Sequence, residues 1–111
     1  MEAGYIRIAS LAEIPEGELR AFEAPVGRVA IAHVEQELFG LADECPSDGA
    51  PLSEGALDED ADSVVCAGDG VAFDLRTGEP LEAAGVDAVA VYAARLDDEG
   101  WVEIARPSEG G

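Results

Sequence analysis

The sequence predicts an all-β fold, a sandwich or barrel of short antiparallel strands. Three observations point there. Apolar residues alternate with a period of two in several runs of five to eight residues. Each run is bounded by Gly, Pro or Asp turn chemistry at close spacing. No apolar period of 3.6 residues persists for three turns, so no long helix is expected. At 111 residues the chain is expected to be one domain, residues 1–106, with a frayed tail at 107–111. Apolar residues make up 48% of it and only six are aromatic, so Val, Ile, Leu and Ala must supply most of the core.

The elements follow in order. Tyr5-Ile6-Arg7-Ile8-Ala9-Ser10 alternates and reads as a first strand. Ser10 is placed to cap a short turn with Glu13 answering it, and Pro15 with Gly17 ends that turn. Residues 19–24 form a second strand, and Pro25-Val26-Gly27 turns into the most apolar strand, 28–34. Glu35-Gln36 is a tight hairpin connection into residues 37–42. Residues 53–57 are expected as a short strand, and residues 58–62 as a solvated acidic turn. Strands at 63–65 and 71–74 flank a glycine-rich loop, and 76–80 is a turn. Residues 89–96 and 101–105 pair across a turn at 97–100. The chain shows no internal repeat.

The charge is one-sided: 25 Asp and Glu face six Arg and no Lys, a formal net charge of -19. Nucleic acid and anionic membranes need clustered cations, so both are excluded as partners. No run reaches the 18 apolar residues of a membrane helix. The N-terminus lacks the basic and apolar regions of a signal peptide, so a cytoplasmic location is expected. Acidity spread over the whole chain suggests a salt-rich, halophilic cytosol, where screening shortens the reach of self-repulsion. A partner with a basic docking face is the rival explanation.

Two loops carry the only cysteines: Cys45-Pro46-Ser47-Asp48-Gly49-Ala50-Pro51-Leu52 and Cys66-Ala67-Gly68-Asp69-Gly70-Val71-Ala72-Phe73-Asp74. They resemble the loops of the Rieske [2Fe-2S] ferredoxin family, which read Cys-Pro-His-x-Gly-x-x-Leu and Cys-Pro-x-His-Gly-x-x-Phe-Asp. The turn Arg76-Thr77-Gly78-Glu79 extends the likeness, which covers about residues 5–104. The resemblance implies a Rieske-like antiparallel β-sandwich with a two-loop cluster-binding tip. It also implies a cofactor, [2Fe-2S], with Cys45 and Cys66 as ligands. Ser47 and Asp69 stand where the family has its two histidines.

That departure changes the expected chemistry. In Rieske centres two thiolates hold one iron and two imidazoles the other, and the imidazoles raise the potential. Ser47 ligates iron only as an alkoxide, and Asp69 offers a hard oxygen that suits harder ions. A cluster held by Cys45, Ser47, Cys66 and Asp69 would be more negative, more reducing and more labile. Other readings of the cysteines stay open. A disulfide closing a loop of about 20 residues would stabilise the fold by roughly 3 kcal/mol, whereas a reducing cytosol keeps thiols. A catalytic cysteine wants a nearby histidine, and the single one, His33, lies mid-strand as a core or edge residue. Asp43, Glu44 and Asp48 crowd the first loop with negative charge, which argues against an activated nucleophile. Tyr92 and Trp101 read as core or edge packing.

Two functions follow from the resemblance. One is an electron-transfer component for an oxygenase or reductase, with an atypical or degenerate [2Fe-2S] site and a larger redox subunit as partner. The other is a clusterless interaction subunit similar to the small subunit of assimilatory nitrite reductase. Catalysis by the chain itself has little support, since no nucleophile-base or acid-base pair is visible. The tip would present Pro46, Ala50, Pro51, Ala67 and Val71 to a partner, within an acidic rim of Asp43, Glu44, Asp48 and Asp69.

Overall fold

The computed structural model describes residues 5–24, 27–46, 49–68, 70–81 and 86–105. The Pro25-Val26 turn, Ser47, Asp48, Asp69 and the tail at 107–111 lie outside them. The described residues form ten strands and two three-residue 3-10 turns. A six-stranded antiparallel sheet is built from β1 (Ile6–Ser10), β2 (Leu19–Ala24), β3 (Gly27–Val34), β4 (Glu37–Ala42), β9 (Val91–Leu96) and β10 (Trp101–Ala105). Its order is β1-β10-β9-β4-β3-β2, and its two edge strands approach one another, so the sheet curls. A smaller sheet runs in the order β5 (Ala56–Asp58), β6 (Ser63–Val65), β7 (Ala72–Asp74), β8 (Pro80–Leu81).

Side chains alternate across a strand, and β3 shows why this sheet has two cores. Val29 and Ile31 point to one face, where they join Ile14, Val102 and Ile104. Ala32 and Val34 point to the other, where they join Phe39, Leu41, Leu52, Val64, Phe73 and both cysteines. The first core fills the inside of the curl, and the second lies between the two sheets. Gly40 on β4 packs closely at the first: a Cβ there would lie 3.2 Å from the Tyr92 carbonyl oxygen, a tight approach, and 3.6 Å from Ile104 Cγ2.

The β3–β4 hairpin matches the sequence expectation. Glu35 and Gln36 take φ of 51° and 71°, the double positive φ of a primed two-residue turn. Ser10 N–H donates to Glu13 Oε2 at 3.1 Å, one half of the expected cap. The ends of β1, β3 and β7 differ by one residue, and three differences are larger. Residues 53–57 are not one strand: a 3-10 turn, Leu52–Glu54, precedes β5. Strand β9 begins at Val91 rather than Val89, because the Val89 N–H is taken by the Gly78 carbonyl outside the ladder. Strand β8 has only two residues and opens on Pro80, too short and too proline-bound to alternate.

Candidate functional site

Each cysteine follows a strand and opens a loop, and the two loops share one backbone design. Cys45 N–H donates to the Ala50 carbonyl at 2.7 Å, and Gly49 N–H donates to the Cys45 carbonyl at 2.8 Å. Cys66 N–H donates to the Val71 carbonyl at 2.8 Å, and Gly70 N–H donates to the Cys66 carbonyl at 2.9 Å. Gly49 and Gly70 both take φ of 78°, a conformation that favours glycine. The equivalence extends outward. Ala50 and Val71, five residues after each cysteine, are half-buried against the core, and Leu52 and Phe73, seven residues after, are fully buried in it. Burial of a Leu or Phe contributes about 1.5–3 kcal/mol, enough to anchor a short loop. The expectation of no internal repeat is thus corrected over eight residues, Cys-x-x-Asp-Gly-x-x-(Leu or Phe), repeated once.

Cys45 and Cys66 are both buried in the one core cluster and are not bonded to each other. Around them the exposed surface is Glu44, Gly49, Ala67, Gly68 and Gly70, with Pro46 and Pro51 half-buried. Of the expected partner-facing residues, Ala67 is exposed and Pro46, Ala50, Pro51 and Val71 are half-buried, Ala50 and Val71 being packed against the core. Asp48 lies outside the described residues, with Ser47 and Asp69.

Asp43 does not belong to the rim, as the sequence suggested; its side chain has no exposed surface. Oδ2 accepts from Arg28 Nε at 2.8 Å and from the Ser53 hydroxyl at 2.9 Å, and Oδ1 accepts from the Ser53 N–H at 2.6 Å. A buried carboxylate requires such partners. They tie β3 to both ends of the first loop. Asp74, after the second loop, plays a local part: its Oδ1 accepts from the backbone N–H of Arg76 at 2.7 Å and of Thr77 at 3.2 Å.

The imidazole is elsewhere. His33 lies on the same side of β3 as Val29 and Ile31, away from the cysteines, and its Nδ1 is 2.8 Å from the Ile14 carbonyl oxygen. Since it is the chain's single histidine, a two-thiolate, two-imidazole donor set cannot be assembled here. A Rieske cluster therefore does not fit the residues present. Among the described residues no three His, Cys, Asp or Glu converge on one point. A groove of about 680 Å³ is lined by His33, Phe39, Arg76 and Leu96 among others, and neither cysteine lines it. Its Arg76 is already paired with Glu37 at 2.8 Å.

The turn between β9 and β10 is held by Asp97. Its Oδ1 accepts from the N–H of Trp101 and of Glu99, each at 2.9 Å, and its Oδ2 pairs with Arg7 at 2.9 Å. The Trp101 N–H, with smaller help from Glu99 and Arg7, holds its carboxyl below the usual value of 3.8. No helix among the described residues is long and apolar enough to cross a membrane.

Comparison with known proteins gives consistent results. Residues 4–105 match the Rieske-like [2Fe-2S] domain family. The chain is similar to the ferredoxin subunit of 3-phenylpropionate/cinnamic acid dioxygenase of Escherichia coli (strain K12), 34% identical over 88 residues, 78% of this chain and 80% of that subunit. Among solved structures it is similar to the ferredoxin of carbazole 1,9a-dioxygenase from Nocardioides aromaticivorans IC177. The TM-score is 0.85 at 22% identity, over 93% of this chain and 98% of that one. It is also similar to an NADH-dependent nitrite reductase small subunit from Mycobacterium tuberculosis, with a TM-score of 0.83 at 22% identity, over 96% and 97% of the two chains. At those identities the two structures speak for the fold alone.

Proposed function

The chain belongs to the Rieske-like [2Fe-2S] domain family, and from that premise we propose that it is the ferredoxin-type, electron-transfer component of an oxygenase or reductase system. It docks on a larger redox subunit by its two-cysteine tip, and an atypical thiolate site replaces the Rieske centre. The observation that carries this reading is the matched pair of loops, each opened by a cysteine that is buried in the same core cluster. The 34% identity to a dioxygenase ferredoxin subunit, across most of both chains, supports the partner class.

The donor set supports an atypical site. With Ser47 and Asp69 where the family has imidazoles, the remaining donors are anionic, and an anionic set lowers the potential of bound iron. The clusterless reading, similar to the nitrite reductase small subunit, accounts for the missing imidazoles. It leaves unexplained why two thiols are kept on two loops of the same design.

The acidic surface supports a salt-rich cytosol. Each arginine among the described residues already pairs with a carboxylate, Arg7, Arg20, Arg28, Arg76 and Arg95 alike. With 25 carboxylates against six arginines in the chain, the excess negative charge depends on dissolved ions for screening.

The test is metal and acid-labile sulfide analysis, with a redox titration, of protein purified without oxygen. The expected result is cysteine-dependent bound iron that reduces reversibly, without the spectrum of a Rieske centre. Metal-free protein that still binds an oxygenase or reductase subunit would favour the clusterless reading instead.

A further inference from the structure

We propose that the groove at the end of the large sheet remote from the cysteines binds a small neutral phenol, its hydroxyl on His33 Nε2 and its ring on the apolar floor around Leu38 and Leu96. The site is independent of any iron at the tip. Strand β4 lines it at Glu37, Leu38 and Phe39, then runs on to Ala42 before the Cys45 loop. Glu37 and Ala42 are about 17 Å apart along the strand.

The groove exists because one ladder stops early. Strands β4 and β9 are in register only at Gly40↔Tyr92 and Leu41↔Val91. Where that pairing ends, the opening of about 680 Å³ lies between Leu38 on one strand and Ala94 and Leu96 on the other. Its floor is the mouth of the inner core, against which Leu11, Leu38 and Ala94 pack. Leu96 adds a large apolar side chain that is 45% exposed. A concave, mainly apolar site of this size takes a small molecule whole.

One polar group is left open in it. His33 Nδ1 is 2.8 Å from the Ile14 carbonyl oxygen, which can only accept, so Nδ1 carries a proton and Nε2 of the neutral ring is an acceptor. Among the described residues Nε2 has no hydrogen-bond partner, and no buried side-chain N or O lacks one, so Nε2 meets the open space of the groove. The ligand must bring a donor, and a phenol hydroxyl supplies a good one without charge. Arg76 favours an aromatic body: its guanidinium lies over Phe39, 5.1 Å from the ring centre, and a guanidinium has a second face for another ring. Charge selects against an acid. Arg76 already pairs with Glu37 and Arg95 with Glu103, each at 2.8 Å, so a carboxylate gains little at the rim. The net charge of -19 repels it at a distance.

The experiment titrates the full chain with p-cresol and follows the amide resonances and the His33 ring nitrogens by NMR. The expected result is saturable binding that moves the amides of Leu38, Phe39, Ala94 and Leu96 and the Nε2 resonance, with Cys45 and Cys66 unmoved. 4-Methylanisole, the same ring with its donor methylated, should bind about threefold to tenfold more weakly, the worth of one net hydrogen bond. 4-Methylbenzoate should also bind more weakly than p-cresol. N-acetyltyrosinamide, the same phenol on a peptide unit, should bind no more tightly; tighter binding would make the occupant a protein's tyrosine and overturn the small-molecule site. His33→Phe should abolish the preference for p-cresol over 4-methylanisole, and Leu96→Asp should weaken both by at least about tenfold. Leu81→Asp, at the exposed leucine of the small sheet, should leave both unchanged. Circular dichroism checks each variant's fold, and the comparison of probes on the wild-type chain stands without them. No saturable shift at the groove, equal affinity for the phenol and its methyl ether, tighter binding of the carboxylate, or indifference to Leu96→Asp would overturn the site.

Discussion

Asp43 and Ser53 close the base of the first cysteine loop. The carboxylate takes both the backbone N–H and the hydroxyl of Ser53, at 2.6 and 2.9 Å, while Arg28 holds it from β3 at 2.8 Å. The loop's entry and exit are thereby fixed to the large sheet, and Cys45 is positioned from both sides. Asp43→Ala should destabilise the domain by about 2–3 kcal/mol, the range for losing hydrogen bonds to a buried charged group. Arg28→Ala should cost less, about 1 kcal/mol, because its guanidinium is half-exposed and partly screened. Urea unfolding at fixed KCl measures both, and equal costs would show that Arg28 rather than Ser53 carries the clamp.

Gly49 and Gly70 make a matched test of the loop design. A Cβ at Gly70 would meet nothing within 4 Å, and at Gly49 only Glu44 Oε2 at 3.8 Å. Any cost of alanine there is therefore backbone strain at φ 78° and not a clash. Gly49→Ala and Gly70→Ala should each cost about 1–2 kcal/mol, and by similar amounts, as read by denaturant midpoint. A large difference between them would break the equivalence of the loops.

Much of this architecture was legible in the sequence, for local reasons. The β3–β4 hairpin could be read because alternation and a two-residue turn are adjacent in the chain. The cysteine loops could be read because their chemistry lies within eight residues. The Asp43 clamp could not, since its partners Arg28 and Ser53 are 15 and 10 residues away and only the fold brings them together. Asp43 therefore looked like surface charge. The likeness of the two loops was present as Cys-x-x-Asp-Gly, but five residues are too few to stand out as a repeat until the hydrogen bonds match.

Stability should rise with KCl. Pairing is saturated at the described arginines, so added salt chiefly screens repulsion among the remaining carboxylates. The melting temperature should climb from low to molar KCl. A flat profile would remove the halophilic explanation and leave a basic partner as the reason for the charge.

Docking should depend on the tip. Pro51→Glu and Ala67→Glu alter exposed or half-exposed positions beside the cysteine loops, and each should weaken binding of an oxygenase or reductase subunit by about tenfold. The on-rate should fall as salt rises. Asp98→Lys, on the exposed turn between β9 and β10, is the suitable control. Asp97 is not, because its carboxylate holds the Trp101 and Glu99 N–H groups and its loss would loosen the turn. Binding that is indifferent to both tip variants and sensitive to Asp98→Lys would move the interface to the other turn.

On the proposed function, the loops keep a Rieske frame in which the ligands alone have changed. The most direct measurement is reconstitution of the Ser47→His, Asp69→His double variant with iron and sulfide under anaerobic conditions, followed by visible and electron paramagnetic resonance spectra. A [2Fe-2S] centre of Rieske type is expected in the double variant, and far less cluster in either single variant, where one iron still lacks an imidazole. A double variant that folds but remains colourless would contradict it, showing that the loops have diverged beyond their two ligand positions.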